Sequence, residues 1–412
     1  MAFKAQERGP AQLGRDDAAD ASRFFSRVGY AAVAIGAPVA VVVHTLALFI
    51  VFPIGVAMIV MAEALEGKPG FVPRAVRAFT APTFMALVAG LAWATLSILW
   101  TPYPVSALQH ALKIGLLILA TLLAVAAPRE NARATDLYLF PIGVVVGMVV
   151  MAARGLAGVA DQVSNDGGVA AGGIALAVLL FPALGGLTAR GRNGYARLLL
   201  ILALAFAYIA GYAPLTIALF AGYLALSFSI SDMSRTASEL AWGSAALVLL
   251  SPLIPAFAPT IAAWVFHVKL ATLPPPYQPL SAAADFFTHD KLRLLTGHGF
   301  ATVARGIRDM LLPAYTPRSF AFTVWYELGA VGAVIAAVGV WFGFHDLDRA
   351  PPRLAPFMAA AFASIVALAF CNVNFDDMTV MTLIAVGAIS TDVAARSQYR
   401  TTRPSAASLA NL

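Results

Sequence analysis

The sequence predicts an all-α, polytopic membrane protein of about twelve transmembrane helices, with one large loop on the non-cytoplasmic side. Three observations carry this expectation. Of the 412 residues, 60% are hydrophobic and only 12% charged, and the mean hydropathy is +0.81. A soluble domain carries about a quarter charged residues, so the polar surface needed to face water on every side is missing. The second observation is a series of apolar runs at 28–44, 45–62, 81–100, 105–127, 136–153, 169–187, 196–211, 213–230, 240–257, 320–343, 355–372 and 377–394. Each is of the length that crosses a hydrocarbon core of ~30 Å at ~1.5 Å per residue. The third is the placement of the basic residues.

With both termini on one side, the inside segments are the N-terminal tail, 63–80, 128–135, 188–197, 231–239, 344–354 and the C-terminal tail. They hold 19 of the 27 lysines and arginines, whereas the short outside loops contain only Arg154. That bias marks the inside segments as cytoplasmic, because positive charge resists translocation. The chain then divides into a cytoplasmic tail (1–27), nine spans (28–257), an outside loop (258–319), three spans (320–394) and a second cytoplasmic tail (395–412). The weakest element is the first pair, where 28–62 barely makes two spans and contains His44 and Pro53. The polar lead of 1–27 differs from a secretory signal, so the first run reads as a retained anchor. The net charge of +6 does not point to nucleic acid, because the basic residues sit in short clusters between spans. Cys371 is alone, which excludes an internal disulfide.

Six basic residues, Lys269, Lys291, Arg293, Arg305, Arg308 and Arg318, lie in the outside loop, where orientation gives them no role. Several arginines at a membrane surface fork onto phosphate oxygens, or they form a solvated face attracted to anionic lipid. The loop opens on a stiff proline-rich stretch, 274–279, followed by two expected helices, Ala283 to Leu295 and Phe300 to Leu312. In the second, Phe300, Val303, Ile307, Met310 and Leu311 recur at helical spacing, so it should lie on the outer membrane face with its basic side up. Gly297-His298-Gly299 is a tight turn between them. Glu327 falls about two turns inside the tenth span, where an ionised carboxylate needs a partner, and Arg318 stands nine residues before it. His110 and Lys113 share a face of the fourth span, Lys113 turning either to a polar cavity or up to the interface. Asp161, Asn165, Asp166, Asp376 and Asp377 read as caps in outside turns. The cytoplasmic charges read as topology determinants alone. No metal set, Walker motif or dinucleotide fingerprint is present, and no cofactor is implied.

Four segments resemble the family of O-antigen ligases and O-antigen or exopolysaccharide polymerases. They are Ser97 to Leu108, with Trp100-Thr101-Pro102; Asn165 to Ala170; Leu294 to Phe300, with its Gly-His-Gly; and Thr323 to Gly332, with Trp325-Tyr326-Glu327-Leu328-Gly329. Their order and spacing follow the family along nearly the whole chain. Arg318-Ser319 stands where the family usually has His-Asn, and Ala213-Pro214 where it usually has Ser-Arg. The resemblance implies a multi-pass glycosyltransferase of the bacterial inner membrane. Its partners would be a polyprenyl-pyrophosphate-linked oligosaccharide, the bilayer and other polysaccharide-assembly proteins. Glu327, His298 and Arg318 are then the expected catalytic residues, with His298 the base and Glu327 orienting Arg318 or the acceptor. Arg305, Arg308, Arg318 and Arg293 are expected on the pyrophosphate, with Lys113 and Arg154 as secondary contacts. A flippase or transporter of lipid-linked glycans, and a non-catalytic partner in polysaccharide assembly, are the competing expectations.

Overall fold

The computed structural model describes residues 10–66, 71–127, 138–156, 169–257, 264, 283, 286, 293–371, 373 and 378–398, and among these there is no strand. Lys291, the proline-rich stretch 274–279, most of the expected helix Ala283 to Leu295, the turn 165–168, and Asp161, Asp376 and Asp377 lie outside the described residues. The chain runs through α1 (Pro10–Ala31), α2 (Ala37–Val43), α3 (Thr45–Glu66), α4 (Phe71–Phe79), α5 (Pro82–Leu96), α6 (Pro104–Ala126) and α7 (Leu139–Leu156). It continues through α8 (Val169–Ala189), α9 (Asn193–Ala210), α10 (Ala213–Ser231), α11 (Met233–Leu250), α12 (Arg293–Thr296) and α13 (Thr302–Arg308). It ends with α14 (Phe320–Thr323), α15 (Gly329–His345), α16 (Ala355–Phe370) and α17 (Met378–Gln398).

Among the described residues each of the twelve apolar runs holds a helix, and nine helices are long and apolar enough to cross a membrane. The three that fall short have physical reasons. Leu139–Gly155 and Ala355–Phe370 are shorter, and α11 opens on a polar turn in which Arg235 pairs with Glu239 at 2.7 Å. The short first pair is resolved by length taken from the polar lead. The span runs Ala18–Val43, bridging α1 and α2 through a π-helical turn, Ala32–Gly36. His44 then reverses the chain in an extended conformation, and its Nδ1 accepts the Leu46 N–H at 3.1 Å. The two antiparallel helices approach closely at glycines. A Cβ on Gly29 would lie 2.7 Å from the Gly55 carbonyl oxygen. Small residues are how helices gain contact where lipid gives them no hydrophobic drive to associate.

The centre of the bundle is α8, buried on nearly all sides against α7, α9, α10, α16 and α17. Around it the outward faces stay apolar: Leu46, Ile50 and Ile54 on α3 and Leu108, Leu112 and Leu116 on α6 are exposed. An apolar centre inside an apolar surface has lipid as its solvent. The molecule is a helical multi-pass membrane protein.

Candidate functional site

The site forms where the span after the loop is interrupted. Between α14 and α15, residues Val324–Leu328 form a π-helical turn that ends at Gly329, whose φ of +65° is a left-handed conformation. A π turn displaces backbone partners by one residue and leaves carbonyls without their usual donors. In an apolar surrounding each such group costs several kcal/mol unless satisfied. Here three donors meet them. The His298 N–H donates to the Tyr326 carbonyl at 2.9 Å, and the Gly299 N–H to the Glu327 carbonyl at 2.9 Å. The Trp93 indole Nε1–H donates to the Leu328 carbonyl at 2.9 Å. The turn Gly297-His298-Gly299 is therefore stitched into the broken span. Gly297 and Gly329 sit so close that a Cβ on Gly329 would lie 2.6 Å from the Gly297 nitrogen.

The segment between α5 and α6 closes the third side. Ser97 Oγ accepts the Phe300 N–H at 3.0 Å, and Thr101 Oγ1 donates to the Phe300 carbonyl at 3.0 Å. Thr101 and Thr302 hydroxyls lie 3.3 Å apart. Three of the four segments that carry the family resemblance thus converge on one spot. They frame an open cleft of about 390 Å³ lined by Leu99, Trp100, Thr101, Pro102, Arg293, His298 and Thr302.

Glu327 is only 1% exposed, and its two oxygens accept the backbone N–H groups of Ala301 and Val303, each at 2.8 Å. The carboxylate caps the start of α13, where helix dipole and open N–H groups favour a negative charge. It is not among the residues that line the cleft. The expected helix Phe300 to Leu312 is trimmed to α13 for the same reason. Ala301 (φ +61°) turns the chain into the Glu327 cap, and Met310 (φ +58°) turns it out again. Met310 and Leu311, expected on the apolar face, are 90% and 73% exposed.

His298 stacks on Tyr326, ring centroids 4.2 Å apart and planes 7° from parallel. Its Nδ1 lies 3.2 Å from the Tyr326 carbonyl oxygen. A carbonyl only accepts, so Nδ1 carries a proton in this contact, which is the tautomer that places the ring's lone pair at Nε2. Of the expected residues, His298 and Arg293 line the cleft together. Arg305 belongs to the frame, its Nε donating to Ser106 Oγ at 2.8 Å and tying α13 to α6. Arg308 is exposed on the same short helix. Arg318 is half-buried and stands just before Ser319, whose Oγ accepts the Phe322 N–H at 3.4 Å and caps α14.

The two secondary candidates are elsewhere. Lys113 is exposed on α6 rather than turned into a cavity, while His110 packs its ring on Phe300 at 5.4 Å. Arg154 donates to the carbonyls of Val42 and Val43, at 3.0 and 2.5 Å, and closes the C-terminus of α2. Sequence reasoning gave no role to Ser97, Thr101, Trp93 or Tyr103, although all but Trp93 lie inside the quoted motifs. Tyr103 sits beside Asp309. Burial first, and then that carboxylate, push its phenol above the ordinary value, against an opposing pull from Arg305.

Compared with protein-family models, curated proteins and solved structures, the chain matches none.

Proposed function

We propose that the chain is a membrane glycosyltransferase of the O-antigen ligase or polymerase kind, working at the non-cytoplasmic face of a bacterial inner membrane. It would move a glycan from a polyprenyl pyrophosphate to an acceptor hydroxyl. The observation that carries this reading is the cleft in which Arg293, His298, Thr302 and Trp100 meet, at the junction of three segments resembling that family. An acceptor hydroxyl beside His298 gives its proton to Nε2 as its oxygen bonds the anomeric carbon. The anomeric carbon–oxygen bond to phosphate breaks, and the electron pair leaves on the pyrophosphate. Arg293, with its fork of donors, suits that developing charge. A metal is not required by this balance of charge.

The test is transfer by the purified chain from a lipid-linked oligosaccharide, read as lengthened or transferred glycan. His298→Ala should slow product formation by about 10²-fold or more, the usual contribution of a general base. Arg293→Ala should slow it by at least about tenfold, with both variants melting as the unaltered protein does. Equal rates in all three proteins, or no product from the unaltered one with either a glycolipid or an oligosaccharide acceptor, would sink the reading.

A further inference from the structure

A second basic cluster lies at the opposite end of the bundle. Helix α6 starts at the cleft and its 23 residues carry it about 34 Å away. Helix α15 likewise runs away from the cleft before the chain turns into α16. Gly185 lies against Leu354 and Phe357 at the start of α16, so the end of α8 is at this far end. There the chain makes the turn Arg190-Gly191-Arg192 into α9, with Gly191 at φ +71°. Both guanidinium groups are drawn to Tyr138, at the entry to α7. Arg192 Nε donates to the Tyr138 hydroxyl at 3.4 Å, and the Arg190 guanidinium carbon lies 5.7 Å from the Tyr138 ring centre. The Arg192 guanidinium also lies over Tyr195, at 5.9 Å.

Among the described residues, this pair differs from Arg74 and Arg396 at the same end in meeting no counter-charge. Arg74 pairs with Glu63 at 3.1 Å, and Arg396 with Asp392 at 3.0 Å. Neither Arg190 nor Arg192 pairs with a carboxylate among the described residues, and Arg190 Nε is enclosed there without a hydrogen-bond partner. Two converging guanidinium groups repel one another, and an anion held between them relieves that repulsion. A tyrosine hydroxyl that accepts from Arg192 still has its own proton to donate.

We infer that Arg190, Arg192 and the Tyr138 hydroxyl bind one phosphate group at this end of the bundle. Two guanidinium forks and a hydroxyl proton match the three oxygens such a group presents. The exposed Tyr195 beside them suits the headgroup level of a bilayer, where an anionic phospholipid supplies phosphate. The cluster is separate from the cleft, and its occupancy does not depend on the transfer reaction.

The experiment is thermal melting of the purified full chain in neutral detergent, titrated with phosphatidylglycerol, with phosphatidylcholine and with inorganic phosphate at fixed ionic strength. Phosphatidylglycerol should raise the melting temperature where phosphatidylcholine does not, because a ligand that binds only the folded state stabilises it. Arg190→Gln/Arg192→Gln should weaken the apparent affinity by at least about tenfold, the loss of one charge-assisted hydrogen bond or more. Arg192→Gln alone alters an exposed side chain on a folded frame and should weaken it by a smaller factor. If inorganic phosphate stabilises the unaltered chain as phosphatidylglycerol does, the ligand is a free phosphate and the cluster stands. If phosphatidylglycerol and phosphatidylcholine act alike and phosphate does nothing, or if the variants respond as the unaltered chain does, the inference is wrong.

Discussion

The two ends of the bundle use the same residue type in opposite ways. At the far end, Arg74 Nε donates to the Ala126 carbonyl at 3.1 Å, and Arg396 donates to the carbonyls of Ala127 and Val125 at 3.2 and 2.6 Å. Both arginines also hold a carboxylate, so their charge closes the C-terminus of α6 and is used up there. At the cleft end, backbone groups, hydroxyls and one buried carboxylate do the closing. His298, Gly299 and Trp93 satisfy the carbonyls of the broken span, Ser97, Thr101 and Glu327 hold the backbone that follows Gly299, and Arg293 is left exposed at the cleft. An end built from neutral donors keeps its cations available for a ligand. At the far end Arg74 and Arg396 are occupied by carboxylates, whereas Arg190 and Arg192 meet no carboxylate among the described residues.

The contrast is broken most severely through the glycines. Gly297 has φ +75°, and a Cβ there would come within 2.6 Å of the Leu328 nitrogen. Gly297→Ala therefore meets both a left-handed conformation and the backbone of the π turn, and should cost more than ~3 kcal/mol. At the far end Gly191 has φ +71° with open space around it. Gly191→Ala should cost only the conformational part, about 1 kcal/mol. Melting of the two variants in detergent measures the difference. Similar melting points would mean that the turn is not stitched into the span.

Glu327→Gln comes next. An amide oxygen accepts one N–H, and the amide NH₂ turned toward the other N–H repels it. Losing charge assistance at the helix start and leaving one buried donor unmet should cost roughly 2–4 kcal/mol. Proteolysis near Ala301 should quicken as well. If the variant melts normally and loses transfer activity, Glu327 acts on substrate rather than on α13.

Arg396→Ala tests the other end and should do less. It uncaps two carbonyls of α6 near the bundle's edge, where remaining Arg74 still donates to Ala126, so about 1 kcal/mol is expected. Transfer in the cleft should be untouched. A larger loss of activity than of stability would mean that the two ends are coupled through α6.

How much of this was legible in sequence differs between the ends for a physical reason. Twelve apolar runs became helices because lipid leaves the backbone no alternative to internal hydrogen bonding. Boundaries drifted where polar residues joined helices, as in Ala18–Val43 and in α4, an unexpected helix within 63–80 that carries Arg74 and Arg77. The arginines of the inside segments read as orienting charges alone, because capping of α6 by residues 52 and about 270 positions away leaves no local pattern. The cleft end was half legible. His298 and Arg293 carried enough chemistry to be singled out, and they meet. Glu327 was noticed for its burial cost, but two of its partners are backbone N–H groups, at 301 and 303, and a sequence pattern does not mark these.

The smallest expected effect falls on Tyr103, at the seam between α6 and α13. Its phenol is raised from 10.0, first by burial and then by Asp309. A raised folded-state value means that the folded chain keeps this proton after the unfolded chain has begun to lose it. The stability linked to it is therefore fully present below pH 10 and drains away as pH climbs through the raised value. Tyr103→Phe removes the titration and leaves the ring. The difference in melting temperature between the unaltered chain and this variant should be flat up to about pH 10, then shift against the unaltered chain. A difference that stays flat through pH 11 would mean that the Tyr103 hydroxyl is open to water, and that the seam beside the cleft is looser than the closure by Ser97, Thr101 and Arg305 requires.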